Sequence, residues 1–289
     1  MALENAKFTY GLSATAAATS INTSGDFTLG IDPTILLLPE VTNGYSFGGC
    51  IYGNGDSVTF SPLDGVVTID DAFVAGTAQV ETANAAGTTS GAGNVSVTFT
   101  AAAVTGSPIT VSVAVASGDT ASTWAAKVRT ALSLNTAISS VYTISGTGTS
   151  IVATRIPLVI RADCPSSNYA NDSTLNIALA NGSPSPGITP AATSANTTAG
   201  VATDGAYILK GDGNNYEGNP IGTMTEIHGI LLACEAGAIS IQTSEYSFQL
   251  NGASTFSVGK NGSIFTLANE TTVSAGDTNS SFTLTILGK

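Results

Sequence analysis

Short apolar runs, each cut off by turn chemistry, set the first limit on what this chain can fold into. They begin with Thr28–Ile31, Thr34–Leu38 before Pro39, Ile51-Tyr52, Val58–Phe60 and Val66–Ile69. Between them fall Asn43-Gly44, Asn54-Gly55 and Asp64-Gly65, dipeptides that supply the positive φ of tight hairpin turns. Residues 204–289 repeat the style with Tyr207–Leu209, Ile227–Cys234, Ala238–Gln242, Tyr246–Leu250, Phe256–Val258, Ile264–Leu267 and Phe282–Leu287. Asn251-Gly252 and Asn261-Gly262 mark further turns, and residues 246–250 and 282–286 alternate with period two. Half-buried antiparallel strands follow, in a mainly β fold of the jelly-roll or β-sandwich kind.

Two stretches interrupt this pattern. Residues 76–92 and 182–203 are nearly all Ala, Thr, Gly, Ser, Asn and Pro, and read as linkers or exposed loops. Between them the chain changes character. Val95, Val97 and Phe99 alternate, as do Ile109, Val111, Val113 and Val115 after Gly106-Ser107-Pro108, which predicts a hairpin. Ser117-Gly118-Asp119-Thr120 then reads as a helix cap ahead of Ala121–Leu132, with Trp124, Val128 and Leu132 on one face. Tyr142–Ser145, Ile151–Thr154 and Leu175–Leu179 supply further strands. The expected organisation is one outer β domain, residues 1–76 and 201–289, interrupted by a small inserted α+β (ββαββ-like) domain at 77–200. Three domains in series is the competing topology.

Charge follows the same division. Residues 77–200 hold Lys127, Arg129, Arg155 and Arg161 against Glu81, Asp119, Asp163 and Asp172, so the net charge of −12 belongs to the flanks. Only 10% of residues are charged, against about 25% in an average soluble domain. A neutral, hydrogen-bonding surface of this kind suits a protein that touches copies of itself. The scattered basic residues argue against nucleic acid, and the absence of a long apolar run argues against a membrane span. No leader-like segment opens the chain, so synthesis in a cytoplasm is expected. Three widely spaced cysteines, Cys50, Cys164 and Cys234, read as reduced small hydrophobes rather than a disulfide framework or zinc site.

No catalytic, cofactor-binding or metal-ligating residue is assigned. His228, the single histidine, sits in the apolar run Ile227–Leu232 and reads as a core or interface residue rather than a base. Asp70-Asp71 and the pair Glu226 and Glu235 have the residue type of a glycosidase acid pair, but read as solvated acids at strand ends. The loop Gly211–Asn219 is rich in oxygen donors yet departs from helix-loop-helix calcium spacing; this loop and Asp70/Asp71 are where a metal would be sought. Trp124 reads as the anchor of a small core, with sugar stacking as its rival.

The run Val104–Leu132, followed by Tyr142–Gly146 and Asn171–Ile177, resembles a module recurrent in tail and head-surface proteins of tailed bacteriophages. The resemblance covers about a third of the chain and implies a structural part of a virion. The expected role is a head decoration (cement) protein, a homotrimer contacting the major capsid protein, with the N-terminal arm (residues 1–25) ordering on assembly. A tail-tube or tail-fibre subunit is the alternative. A carbohydrate-binding or adhesin module is the third reading; it requires Trp124, Tyr207, Tyr216 and Tyr246 in one groove and would add a weak host-surface glycan contact.

Overall fold

The structure, a computed structural model, describes residues 43–61, 63–189, 194–209, 227–242, 247–251, 254–259, 271–276 and 279–288. The expected strands at 28–38 and 264–267, the arm 1–25 and the loop 211–219 lie outside these residues.

Three strands come first: β1 (Asn43–Ile51), β2 (Ser57–Ser61) and β3 (Val66–Ile69). The middle of the chain gives β4 (Val80–Asn84), β5 (Gly93–Thr100), β6 (Ile109–Val115), helices α1 (Ala121–Leu134) and α2 (Thr136–Ser139), then β7 (Tyr142–Ser145), β8 (Ser150–Arg155), β9 (Asn176–Asn181) and β10 (Ala195–Thr198). The last third adds β11 (Ala206–Ile208), β12 (Ile227–Ala236), β13 (Ala238–Gln242), β14 (Ser247–Asn251), β15 (Ser254–Gly259), β16 (Thr271–Ala275) and β17 (Ser280–Gly288). The fold is mainly β, and every strand pairing between these elements is antiparallel.

The chain divides into two compact units. The first comprises residues 1–74, 160–165 and 204–289, the second residues 75–159 and 166–203. In the first, two five-stranded sheets have the orders β11-β1-β17-β12-β15 and β14-β13-β16-β2-β3. Strands from opposite ends of the sequence are neighbours in both: β1 pairs with β17 over its whole length, and β2 pairs with β16. The period-two pattern explains the core between the sheets. Phe282, Leu284 and Ile286 of β17 are buried while Thr283 and Thr285 are half-buried, and Val58 and Phe60 of β2 point into the same cluster. Phe60 stands with its ring centroid 5.3 Å from Phe47 and 6.3 Å edge-on from Phe282. Outward positions carry hydroxyl pairs instead, such as Thr59 Oγ1 with Thr272 Oγ1 at 2.8 Å and Ser46 Oγ with Thr285 Oγ1 at 3.1 Å.

In the second unit, sheets β10-β4-β8-β7 and β6-β5-β9 enclose a core with α1. The β5–β6 hairpin and the start of α1 form where the sequence signals them: Thr120 Oγ1 accepts from Thr123 N–H at 3.2 Å. The helix buries Trp124, Ala125, Val128 and Leu132. The stretches expected as linkers take part in this unit. Residues 80–84 pair with β8, residues 195–198 pair with β4, Ala83 and Ala85 are buried, and Gly87 C=O accepts from Trp124 Nε1 at 3.0 Å. Alanine and threonine lack apolar bulk, but they satisfy ladder hydrogen bonds and fill narrow gaps, so their composition concealed two strands.

Phe60→Ala should destabilise the protein by about 3–5 kcal/mol, because the ring is fully buried among rings that cannot close the cavity. Chemical denaturation followed by near-ultraviolet circular dichroism checks this.

Candidate functional site

Unit one contains an unexpected covalent link. Cys50 of β1 and Cys164 form a disulfide across a sequence separation of 114, which corrects the reading of all three cysteines as reduced. Spacing could not reveal the pair, because residues 160–165 return to the first unit after a long excursion in sequence. Cys234 is the buried free thiol, with burial raising its pKa. The returning segment is also held by Arg161. Its guanidinium lies over Gly48 of β1, where a Cβ would come within 2.7 Å of Nη2. Arg161 donates to Asp163 at 2.6 Å, to Phe282 C=O at 2.9 Å and to Thr283 Oγ1 at 3.1 Å, and pairs with Glu235 at 3.3 Å. Tyr52 Oη donates to Pro165 C=O at 2.5 Å.

Three aspartates of the first unit gather at one place. One carboxylate oxygen from each of Asp56, Asp71 and Asp204 lies within 4.8 Å of the others. Loop geometry brings them together: Gly205, at φ +77°, turns the backbone so that its N–H reaches Asp56 Oδ2 at 3.0 Å, and Val74 and Asp204 exchange both backbone hydrogen bonds. Asp70 does not join the cluster. It accepts from Ser57 N–H at 2.6 Å, Ser57 Oγ at 2.8 Å and Asp71 N–H at 2.8 Å, and so ties together the open end of the β2–β3 hairpin. Hard oxygens of this kind are what a calcium ion takes, but in sets of about 6–8, and exposed carboxylates also gather without one. Burial first, then the like charge of Asp204, pushes the Asp56 pKa up.

The other residues weighed from sequence do not assemble. His228 lies on β12, with its backbone alone described; Glu226, Tyr216, Tyr246 and the loop 211–219 lie outside the described residues. Glu235 accepts from Thr283 Oγ1 at 2.6 Å besides pairing with Arg161, and so acts as an ion-pair partner. Trp124 is fully buried in the second unit and Tyr207 sits on β11 of the first, beside Phe73. Trp124, enclosed in a core, is not available to line an exposed groove.

The second unit has a cavity of about 540 Å³, which sequence reasoning missed. Tyr142 and Arg155 are direct cross-strand partners on β7 and β8, and Tyr169 comes from the segment before β9. The Arg155 guanidinium carbon stands 4.3 Å from the Tyr169 ring centroid and 5.3 Å from that of Tyr142. No carboxylate lies within ion-pair distance of Arg155 among the described residues. Arg155 Nη1 and the Tyr142 hydroxyl are buried without a well-formed hydrogen bond. Burial raises the Tyr142 pKa, against the lowering effect of the Arg155 charge. Asp172, at the rim, is different: burial pushes its pKa up, but donors from Thr174 Oγ1, Thr174 N–H, Ala102 N–H and Ala103 N–H outweigh that and hold it low. Gln79 fixes the same rim, with Nε2 donating to Asp172 C=O at 3.0 Å and Oε1 accepting from Asp172 N–H at 2.7 Å.

Compared with protein-family models, with curated proteins and with solved structures, the chain matches none. Among the described residues, no helix is long and apolar enough to cross a membrane.

Two predictions follow from the first unit's chemistry. Without reductant, the denatured chain should titrate one thiol, Cys234, and after reduction three. Cys50→Ser with Cys164→Ser should lower stability by about 2–4 kcal/mol, read by denaturation. The raised Asp56 pKa means that ionising this carboxyl costs the folded state more than the unfolded one. That cost is fully present above the raised folded value. It is relieved as pH falls through it, and is gone below the unfolded value near ~3.9. Asp56→Asn should therefore raise the melting temperature at pH 7 and converge with the parent in acid, as scanning calorimetry across pH will show.

Proposed function

We propose that this chain is a structural subunit of a tailed-bacteriophage particle, acting as a head-surface decoration protein that binds copies of itself as a homotrimer and the major capsid subunits. The observation that carries this reading is the chemistry of the sheet edges. Among the described residues, the four sheets end at the strands β11 and β15, β14 and β3, β10 and β7, and β6 and β9. None contains Asp, Glu, Lys, Arg or Pro. Natural monomers defend edges with such residues or by keeping them short. Here β3, β7, β10 and β11 are short, whereas β6, β9, β14 and β15 run five to seven residues with no charge. Undefended edges suit strand addition by a neighbouring subunit.

Two further features support an assembly role. Charge is scarce over the whole sequence, which lowers the desolvation cost of burying surface between subunits. The Cys50–Cys164 disulfide suits a protein that works outside a reducing cytoplasm, as particle surfaces do, and replaces the expectation that all thiols stay reduced.

Cryo-electron microscopy of purified particles, with copy number from quantitative mass spectrometry, tests the proposal. Symmetric clusters of this chain on the head, with strand pairing across subunit boundaries, are the expected result. Density along the tail would replace decoration with the tube or fibre role. Absence from particles would overturn the virion reading altogether.

A further inference from the structure

We propose that the cavity of the second unit binds a saccharide bearing a carboxylate, with Arg155 holding the acid group and the Tyr169 ring forming part of the sugar-facing wall. The argument begins with Arg155. A guanidinium offers five donors in a planar fork that matches a carboxylate edge to edge. In this chain the other described basic side chains have oxygen partners: Lys127 with Asp119 at 2.5 Å, Arg129 with Ser150 C=O at 2.6 Å, and Arg161 with its carboxylates and carbonyl. Arg155 has two tyrosine rings and no ion-pair partner among the described residues. Stacking fixes the plane of the fork without consuming its donors, which is the state of a binding arginine before its ligand arrives.

The Tyr142 hydroxyl is the second sign. Tyr142 is 1% exposed, and apart from its contact with Arg155 its oxygen has no hydrogen-bond partner, although such groups are normally satisfied when buried. A ligand oxygen entering beside Arg155 gives both groups an acceptor, after a small shift of the stacked side chains. The volume of about 540 Å³ falls within the range of about 300–1,000 Å³ usual for small-molecule sites.

The surroundings select the ligand class. The Asp172 carboxylate lines the same cavity, so a doubly charged phosphate meets more repulsion there than a singly charged carboxylate does. Aromatic surface beside the uncharged polar side chains Asn171 and Thr174 suits a ring with an apolar face and hydroxyl edges. A peptide carboxylate would match the guanidinium but bring no sugar ring to lie against Tyr169.

The experiment is calorimetric titration of the full chain with glucuronate, with glucose as the neutral counterpart and N-acetyl-alanyl-alanine as a carboxylate without a sugar. Glucuronate should bind with a Kd of about 1–10 mM and at least about tenfold more tightly than either comparison compound. Arg155→Gln should lose that preference and Arg155→Lys should keep part of it, because lysine retains the charge but not the fork. The comparison among the three compounds on the parent chain keeps the test decisive if the Arg155 variants fail to fold. Equal binding of glucose, equal binding of the dipeptide, or no saturation by about 50 mM glucuronate would each overturn the assignment. Because the measurement uses the isolated chain, its outcome is independent of where the protein sits in a particle.

Discussion

The pairing of β1 with β17 and of β2 with β16 is the constraint on which the first unit depends. It joins the start of the described chain to its end, so one sheet cannot be completed until β17 is made and the other not until β16 is made. Closing so long a loop costs only slightly more entropy than closing a moderate one, since the cost grows with the logarithm of length. The penalty falls on folding rate, because non-local ladders must form before burial compensates them. Once the ladders exist, the chain leaving at Val74 and the chain returning at Asp204 are hydrogen-bonded neighbours. The chain between them therefore leaves and re-enters the first unit at one place.

A six-residue segment departs from that simple plan. Residues 160–165 belong to the first unit although the chain on both sides of them belongs to the second. The disulfide and Arg161 explain why six residues suffice to hold this position. Cys164 is tied covalently to β1, while Arg161 crosses the same strand at Gly48 and reaches the carbonyl of Phe282 on β17. The absence of a side chain at Gly48 is what opens room for the guanidinium; a Cβ there would overlap Nη1 and Nη2 at 2.7–2.8 Å. The acid partners Asp163 and Glu235 balance the charge that this placement brings over the sheet.

Much of the fold class was legible because alternation and turn dipeptides report directly on backbone geometry. The hairpin at Gly93–Val115 and the cap at Thr120 are local events, dictated by side chains a few residues apart. The strands at 80–84 and 195–198 were not legible, since they contain little apolar bulk and owe their form to partners distant in sequence. The same limit hid the disulfide, the Asp56–Asp71–Asp204 cluster and the Arg155 cavity. Asp70 and Asp71 are adjacent in sequence, yet one ties the open end of a hairpin and the other faces a carboxylate 133 positions away, Asp204. Trp124 had a signal, its place on the apolar face of a capped helix, and the structure makes it a core anchor rather than a sugar platform.

Charge placement links the two units' chemistry. With only 10% of residues charged, few of these groups are available merely to keep a surface soluble. In residues 77–200 the net charge is zero, and most of its members are engaged: Asp119 with Lys127, Asp163 with Arg161, Asp172 with the donors of its own rim, and Glu81 with Ser194. Arg155 stands apart because its contacts are ring faces, which orient a cation but do not neutralise it. Arg155 is half-buried, and its Nη1 lies away from solvent with no well-formed hydrogen bond, a cost that an apolar side chain between two tyrosines would avoid. An arginine at this point is therefore poorly explained by stability alone. A role as an anion-recognition group accounts for both the stacked geometry and the open donors.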